Sequence, residues 1–179
     1  YDAFPVASST AFISKLLAML LIPLFVLCII PVVCIPVQLI KGVTNVEPVL
    51  YLQTLFVFEL PRLMLYALFA FIVQNTVNNK FQGHVLVLLY YISLIGFSRI
   101  GLEHPLWRFG SGLTYTYSDM NGFEDSINSI KAYLGHWTLI AVLLSGVGFL
   151  FFHRGAEIGL KARIAEAANR WKRLHTIKG

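Results

Sequence analysis

Two carboxylates and two imidazoles, Glu103, His104, Asp119 and His136, are the residues here whose types could hold a transition metal or move a proton. Metal ligand sets show tight local spacing, whereas these are scattered from position 103 to 136. Local hydrogen bonds that hold the 98–131 loop to the preceding apolar run account for Glu103 and His104 more simply. Glu59 and Arg62 stand three apart, so on a helix they share one face and can pair. The run "YSDMNGF", Tyr117 to Phe123, concentrates side chains that hydrogen-bond, bend tightly or stack. Its "DMNG" lacks the alternating oxygen ligands and closing Glu of a calcium loop. HExxH, GxxxxGK[ST] and GxSxG are all missing from the chain, so no catalytic residue, cofactor or metal is assigned. Cys28 and Cys34, six apart in an apolar run, read as small packing residues. Tyr90 and Tyr91 read as packing or interfacial residues.

The solvent of these residues follows from composition. The 179 residues are 57% hydrophobic and 13% charged, about half the charge of a soluble domain. A membrane-spanning helix needs roughly 20 mostly apolar residues, and four runs qualify, near 12–38, 60–77, 84–101 and 133–152. The expected fold is an all-α, polytopic membrane helix bundle. Residues 1–153 form its membrane region and 154–179 a basic cytoplasmic helix. In the first run Pro23, Pro31 and Pro36 remove backbone donors and should kink the helix. Ser8, Ser9 and Thr10 offer N-caps for it. Glu47 or Asn45 before Pro48 marks the next helix start. Pro61 is expected to end an interfacial stretch, which would leave the Glu59–Arg62 pair in the headgroup layer. Gly146 and Gly148 offer small faces for close helix packing.

In the long polar segment 98–131, Phe123, Ile127, Ile130 and Leu134 fall on one helical face. A short re-entrant or interfacial helix is expected there, capped by Asp119 or Asn121, with Asn121-Gly122 as its turn. In the tail, Leu160, Ile164, Ala167, Trp171 and Leu174 make an apolar stripe among basic residues. Such a helix lies on anionic lipid, and a nucleic-acid partner is not expected. The positive-inside rule then puts both ends of the chain in the cytoplasm, with Asn79 and Lys80 on that side and the 98–131 loop outside. The net charge of +5 is mostly the tail's doing.

Three stretches, "NNKFQGH", "GLEHPLWRFG" and "YSDMNGF", in this order between spans, resemble the membrane part of a bacterial family of ABC-type exporter permeases. The likeness covers most of residues 1–165, with "YDAFPV" at the start, "VLYL" at 49–52 and "KARI" at 161–164. The resemblance implies a permease half that forms a translocation path with a partner half. A separate ATP-binding cassette subunit would drive it, so ATP acts through that partner. It also implies re-entrant helices in the last outer loop. Many members are fused to a zinc aminopeptidase domain and carry two further spans upstream. Neither is in this sequence, which opens at Tyr1 and is expected to be a piece of a longer chain. On this reading Glu103, His104, Tyr117, Asp119 and Asn121 shape an outer gate, while Asn79 and Lys80 make cytoplasmic contacts. The alternative is a non-transporting anchor or scaffold for a membrane complex. An intramembrane enzyme built on the outer His and acid residues is a third reading.

Overall fold

A computed structural model describes residues 7–43, 45–77, 79–101, 104–112 and 114–152, together with 165, 168 and 169. The described residues are helical, joined by turns and loops, as the composition predicts. Helix α1 is Ser8–Ile40, α2 is Pro48–Thr76, α3 is Lys80–Arg99 and α4 is Glu124–Phe151. Three of them, α1, α2 and α4, have 33, 29 and 28 residues and are apolar enough to cross a bilayer. At 1.5 Å per residue each exceeds the roughly 30 Å hydrocarbon layer. The apolar part of α3, Phe81–Phe97, is shorter. The expected four spans are thus three long helices and one short one, and the chain is a membrane protein. The basic tail helix lies outside the described residues, apart from Ala165, Ala168 and Asn169, which are helical.

Two expected boundaries are absent. Pro61 does not end a helix: α2 runs through it, with a π-helical segment, Gln53–Glu59, immediately upstream. A π turn already interrupts the i to i−4 ladder, so a proline just after it withholds a donor where the ladder is broken anyway. Nor is there a separate outer helix at Phe123 to Leu134, because α4 runs unbroken from Glu124 to Phe151. The apolar stripe that begins at Phe123, Ile127, Ile130 and Leu134 continues through Trp137, Ala141, Leu144 and Gly148 in steps of three and four. One face therefore stays against the bundle over the whole length. That regular 3.5-residue period suits long, near-parallel packing between helices.

Helix α2 is the hub, packed against each of the other three. Phe58 and Leu65 on α2 share a core with Ile130, Trp137 and Ala141 of α4 and with Phe109 and Phe123 from the loop. Ile72, a further seven residues along α2, meets the α4 backbone, since a Cβ on Gly148 would stand 3.4 Å from its Cγ1. The close helix approach expected of the glycines is made by Gly148. Gly146 faces open space. A second cluster, Phe12, Phe71 and Phe152, fastens the start of α1 to the far ends of α2 and α4. Beyond Phe12 and Leu27, α1 leaves an almost wholly apolar surface uncovered, as a lipid-facing helix does. It remains one helix across all three prolines. Its N-cap is Ala7, with no side-chain cap, so Ser8, Ser9 and Thr10 begin the helix rather than cap it. Glu47 precedes α2 with Pro48 at its first turn, as expected.

The loop 104–123 is held to this bundle by aromatic residues and glycines. The Trp137 indole N–H donates to the Ser111 carbonyl at 2.9 Å, and its ring meets Phe109 at 5.1 Å. Trp137→Phe removes the donor and leaves part of the indole's volume in the core empty. It should lower stability by about 1–3 kcal/mol, from the unmatched Ser111 carbonyl and the lost packing together. Detergent-solution melting monitored through a fluorescent thiol or ring reporter checks it. An unchanged midpoint would show that another donor reaches Ser111.

Candidate functional site

Where the π segment ends, the chain brings its charges together. Arg62 Nη2 lies 2.6 Å from Glu59 Oε2, one helical turn away. The second carboxylate oxygen, Oε1, accepts a hydrogen bond of 3.1 Å from the hydroxyl of Tyr115, 56 residues further along the chain. Side-chain exposure is 36% for Arg62 and 19% for Glu59, so the pair is half-buried, the carboxylate more than the guanidinium. Desolvation, then the hydrogen bond to Glu59 and its negative charge, push the Tyr115 hydroxyl above its ordinary value. It therefore stays a neutral donor across the physiological range. The Nε atoms of Arg62 and of Arg108 are buried without an acceptor.

Aromatic contacts set this knot in place. Phe58, adjacent to Glu59, stacks on Tyr115 at 4.8 Å and meets Phe123 at 4.7 Å. Phe123 also touches Tyr117 at 5.2 Å and Tyr115 at 5.8 Å. Thr116 donates its backbone N–H to Ser126 Oγ at 3.1 Å, tying the run 114–117 to the first turn of α4. Tyr115 and Tyr117 both reach Phe123.

The "YSDMNGF" run is a turn. Ser118 and Gly122 exchange two backbone hydrogen bonds, of 2.9 and 2.7 Å, and Gly122 takes a φ of +60°. Asp119 and Asn121 stand exposed at its tip. Neither caps α4: the N-cap is Phe123, with no side-chain cap. The backbone pairing closes the turn before the helix starts, and this sets both side chains too far upstream for the first free N–H groups. Glu124 and Asp125 occupy the first turn of α4 instead, where their charge suits the helix dipole.

The other expected residues are dispersed. His104 is exposed and caps a 3-10 turn, Pro105–Trp107, accepting the Leu106 N–H at its Nδ1 at 3.3 Å. Glu103 lies outside the described residues. His136 rests edge-on against the Trp137 ring at 5.0 Å. Among the described residues no three metal-ligating side chains come together. Asn79 accepts the Phe81 N–H at 2.9 Å, a helix cap for α3, and the Lys80 side chain lies outside the described residues. Of the four described residues among those expected at an outer gate, only Tyr117 touches the aromatic cluster around the charge pair. Tyr115, the residue that joins the loop to the pair, was missed. The alternation Tyr115-Thr116-Tyr117 was the available signal.

Beside the knot an open groove of about 720 Å³ runs between the π segment and the start of α4. Gln53, Val57 and Phe58 form one wall, and Tyr117, Phe123 and Ile127 the other.

No protein-family model matches this chain, and neither the curated proteins nor the solved structures contain a match.

Proposed function

We propose that this chain is the membrane-spanning part of an ABC-type exporter, forming a translocation path with a second permease half. A separate ATP-hydrolysing subunit drives it, and the chain itself carries no catalytic site. The bacterial cytoplasmic membrane is the setting, with both ends of the chain on the cytoplasmic side. The observation that carries this reading is the Glu59–Arg62–Tyr115 knot on the hub helix. Glu59 is the twelfth residue of a 29-residue helix. If the whole excess length of α2 lay outside the hydrocarbon, Glu59 would still sit about 3 Å within it, for an untilted helix.

Charged groups on a membrane-spanning helix face a bundle interior or a polar path, and they mark sites of function more often than of anchoring. π segments cluster at functional sites for the same reason, since the broken ladder frees backbone groups and reorients side chains. A passive anchor needs neither. The motifs "GLEHPLWRFG" and "YSDMNGF" give the family to the reading, and their residues seat the loop against the knot.

Purification in mild detergent tests it. A nucleotide-hydrolysing subunit should accompany the chain and lose part of its activity when the chain is stripped away. Recovery of the chain with membrane partners but no such subunit would favour the scaffold.

A further inference from the structure

The groove beside the charge knot has two chemical characters. Its floor and walls are apolar and aromatic: Val57, Phe58, Phe123 and Ile127 with Tyr117 and Pro48. Two carboxylates are among its lining residues, Glu47 just before α2 and Glu124 in the first turn of α4. Both side chains belong to exposed residues, and the one ion pair found among the described residues, Glu59–Arg62, involves neither. No lysine or arginine is among the residues that line the groove. Asp125 adds a third acid to a shallower opening that shares Glu124. At about 720 Å³ the groove has the volume of a small-molecule site.

We propose that this groove binds a cationic amphiphile, an organic ammonium with an alkyl or aromatic body. The apolar part lies between Phe58 and Ile127, and the ammonium rests between Glu47 and Glu124. Each half of the groove selects one half of the ligand. Burying an alkyl chain against Val57, Phe58 and Phe123 supplies the non-directional part of the affinity. Two carboxylates, with no lysine or arginine among the described residues that line the groove, supply the charge preference, and the aromatic rings at the groove favour an ammonium over a neutral head. An anionic amphiphile of the same length meets two like charges there. Three of the wall residues, Gln53, Val57 and Phe58, belong to the π segment. The wide turn thus shapes the site as well as presenting Glu59 next to it. This inference rests on the exporter reading only for calling the ligand a substrate. The binding itself does not depend on it.

The test is equilibrium dialysis of radiolabelled decyltrimethylammonium against the full chain in zwitterionic lipid nanodiscs, with empty nanodiscs subtracted. Decyl sulfate and a neutral decyl glucoside serve as chain-matched comparisons. The cation should bind about tenfold more tightly than the neutral probe and more tightly still than the anion. Glu47→Gln with Glu124→Gln should remove most of that tenfold preference and leave neutral-probe binding unchanged. Both residues are exposed, so the double variant keeps the core. Val57→Trp, which fills the groove from an exposed position, should weaken all three probes. Equal binding of the three probes, or an undiminished cation preference in the double variant, overturns the proposal. Cation binding by a chain that never associates with an ATPase keeps the site and removes the exporter. ATPase association with no cation preference does the reverse.

Discussion

Gly110→Val should destabilise the protein by about 2–5 kcal/mol. Two independent penalties add. Gly110 has a φ of +73°, a left-handed conformation that a β-branched residue adopts at a cost of roughly 1–2 kcal/mol. A Cβ there would lie 2.5 Å from Tyr66 Cε1, and such overpacking typically adds about 1–3 kcal/mol. The Tyr66 ring has little freedom to withdraw, because it is set edge-on against Tyr91 at 5.5 Å, its centroid fixed between α2 and α3. Gly122→Ala is the matched comparison. Its φ of +60° is also left-handed, but nothing lies within 4 Å of the added carbon. It should lose about 1 kcal/mol. Melting of both variants in the same detergent separates strain from collision. Equal losses would show that the loop moves freely off Tyr66.

Glu59→Leu should cost about 2–3 kcal/mol. Removing one partner of a buried pair typically costs about 3–5 kcal/mol, reduced here because the Arg62 side chain is 36% exposed. The loss comes from what is left behind. Arg62, whose Nε already lacks an acceptor, would lose its counter-charge, and the Tyr115 hydroxyl would lose its only described acceptor. Glu59→Leu with Arg62→Leu should recover stability to within about 1 kcal/mol of the parent, since replacing a whole buried pair by apolar groups is often neutral. If the pair serves transport, the double variant would be folded and inactive. A double variant as unstable as the single one would show that the knot is structural cement for the loop.

Much of this arrangement was legible in the residues. The apolar runs gave the helices, Glu47-Pro48 gave a start, and the three-residue spacing of Glu59 and Arg62 gave the pair. The errors came where two rules competed. Pro61 is a helix breaker by its missing N–H, but the π segment before it had already opened the ladder, and no residue pattern in "QTLFVFE" announces that. The stripe at Phe123, Ile127, Ile130 and Leu134 was readable as helical, and its onward steps to Trp137, Ala141 and Gly148 were in view. Following the polar character of the segment divided a single helix in two. Asn121 and Asp119 are good capping residues by type, yet the Ser118–Gly122 backbone pairing decides where the helix begins. Tyr115 could be placed only by a contact across 56 residues.

The π segment also fixes an angle. One residue more or fewer in an α-helix turns everything beyond it by about 100° and shifts it by about 1.5 Å. Gln53–Glu59 holds a surplus residue of this kind within α2. Were it drawn out into regular α-helix, the first turn of α2, Pro48–Leu52, would swing a quarter-turn or more away from Phe123. Phe58 and Glu59 lie at the fulcrum, so the geometry of that short stretch decides whether the Pro48 end of the hub helix faces the loop or the lipid.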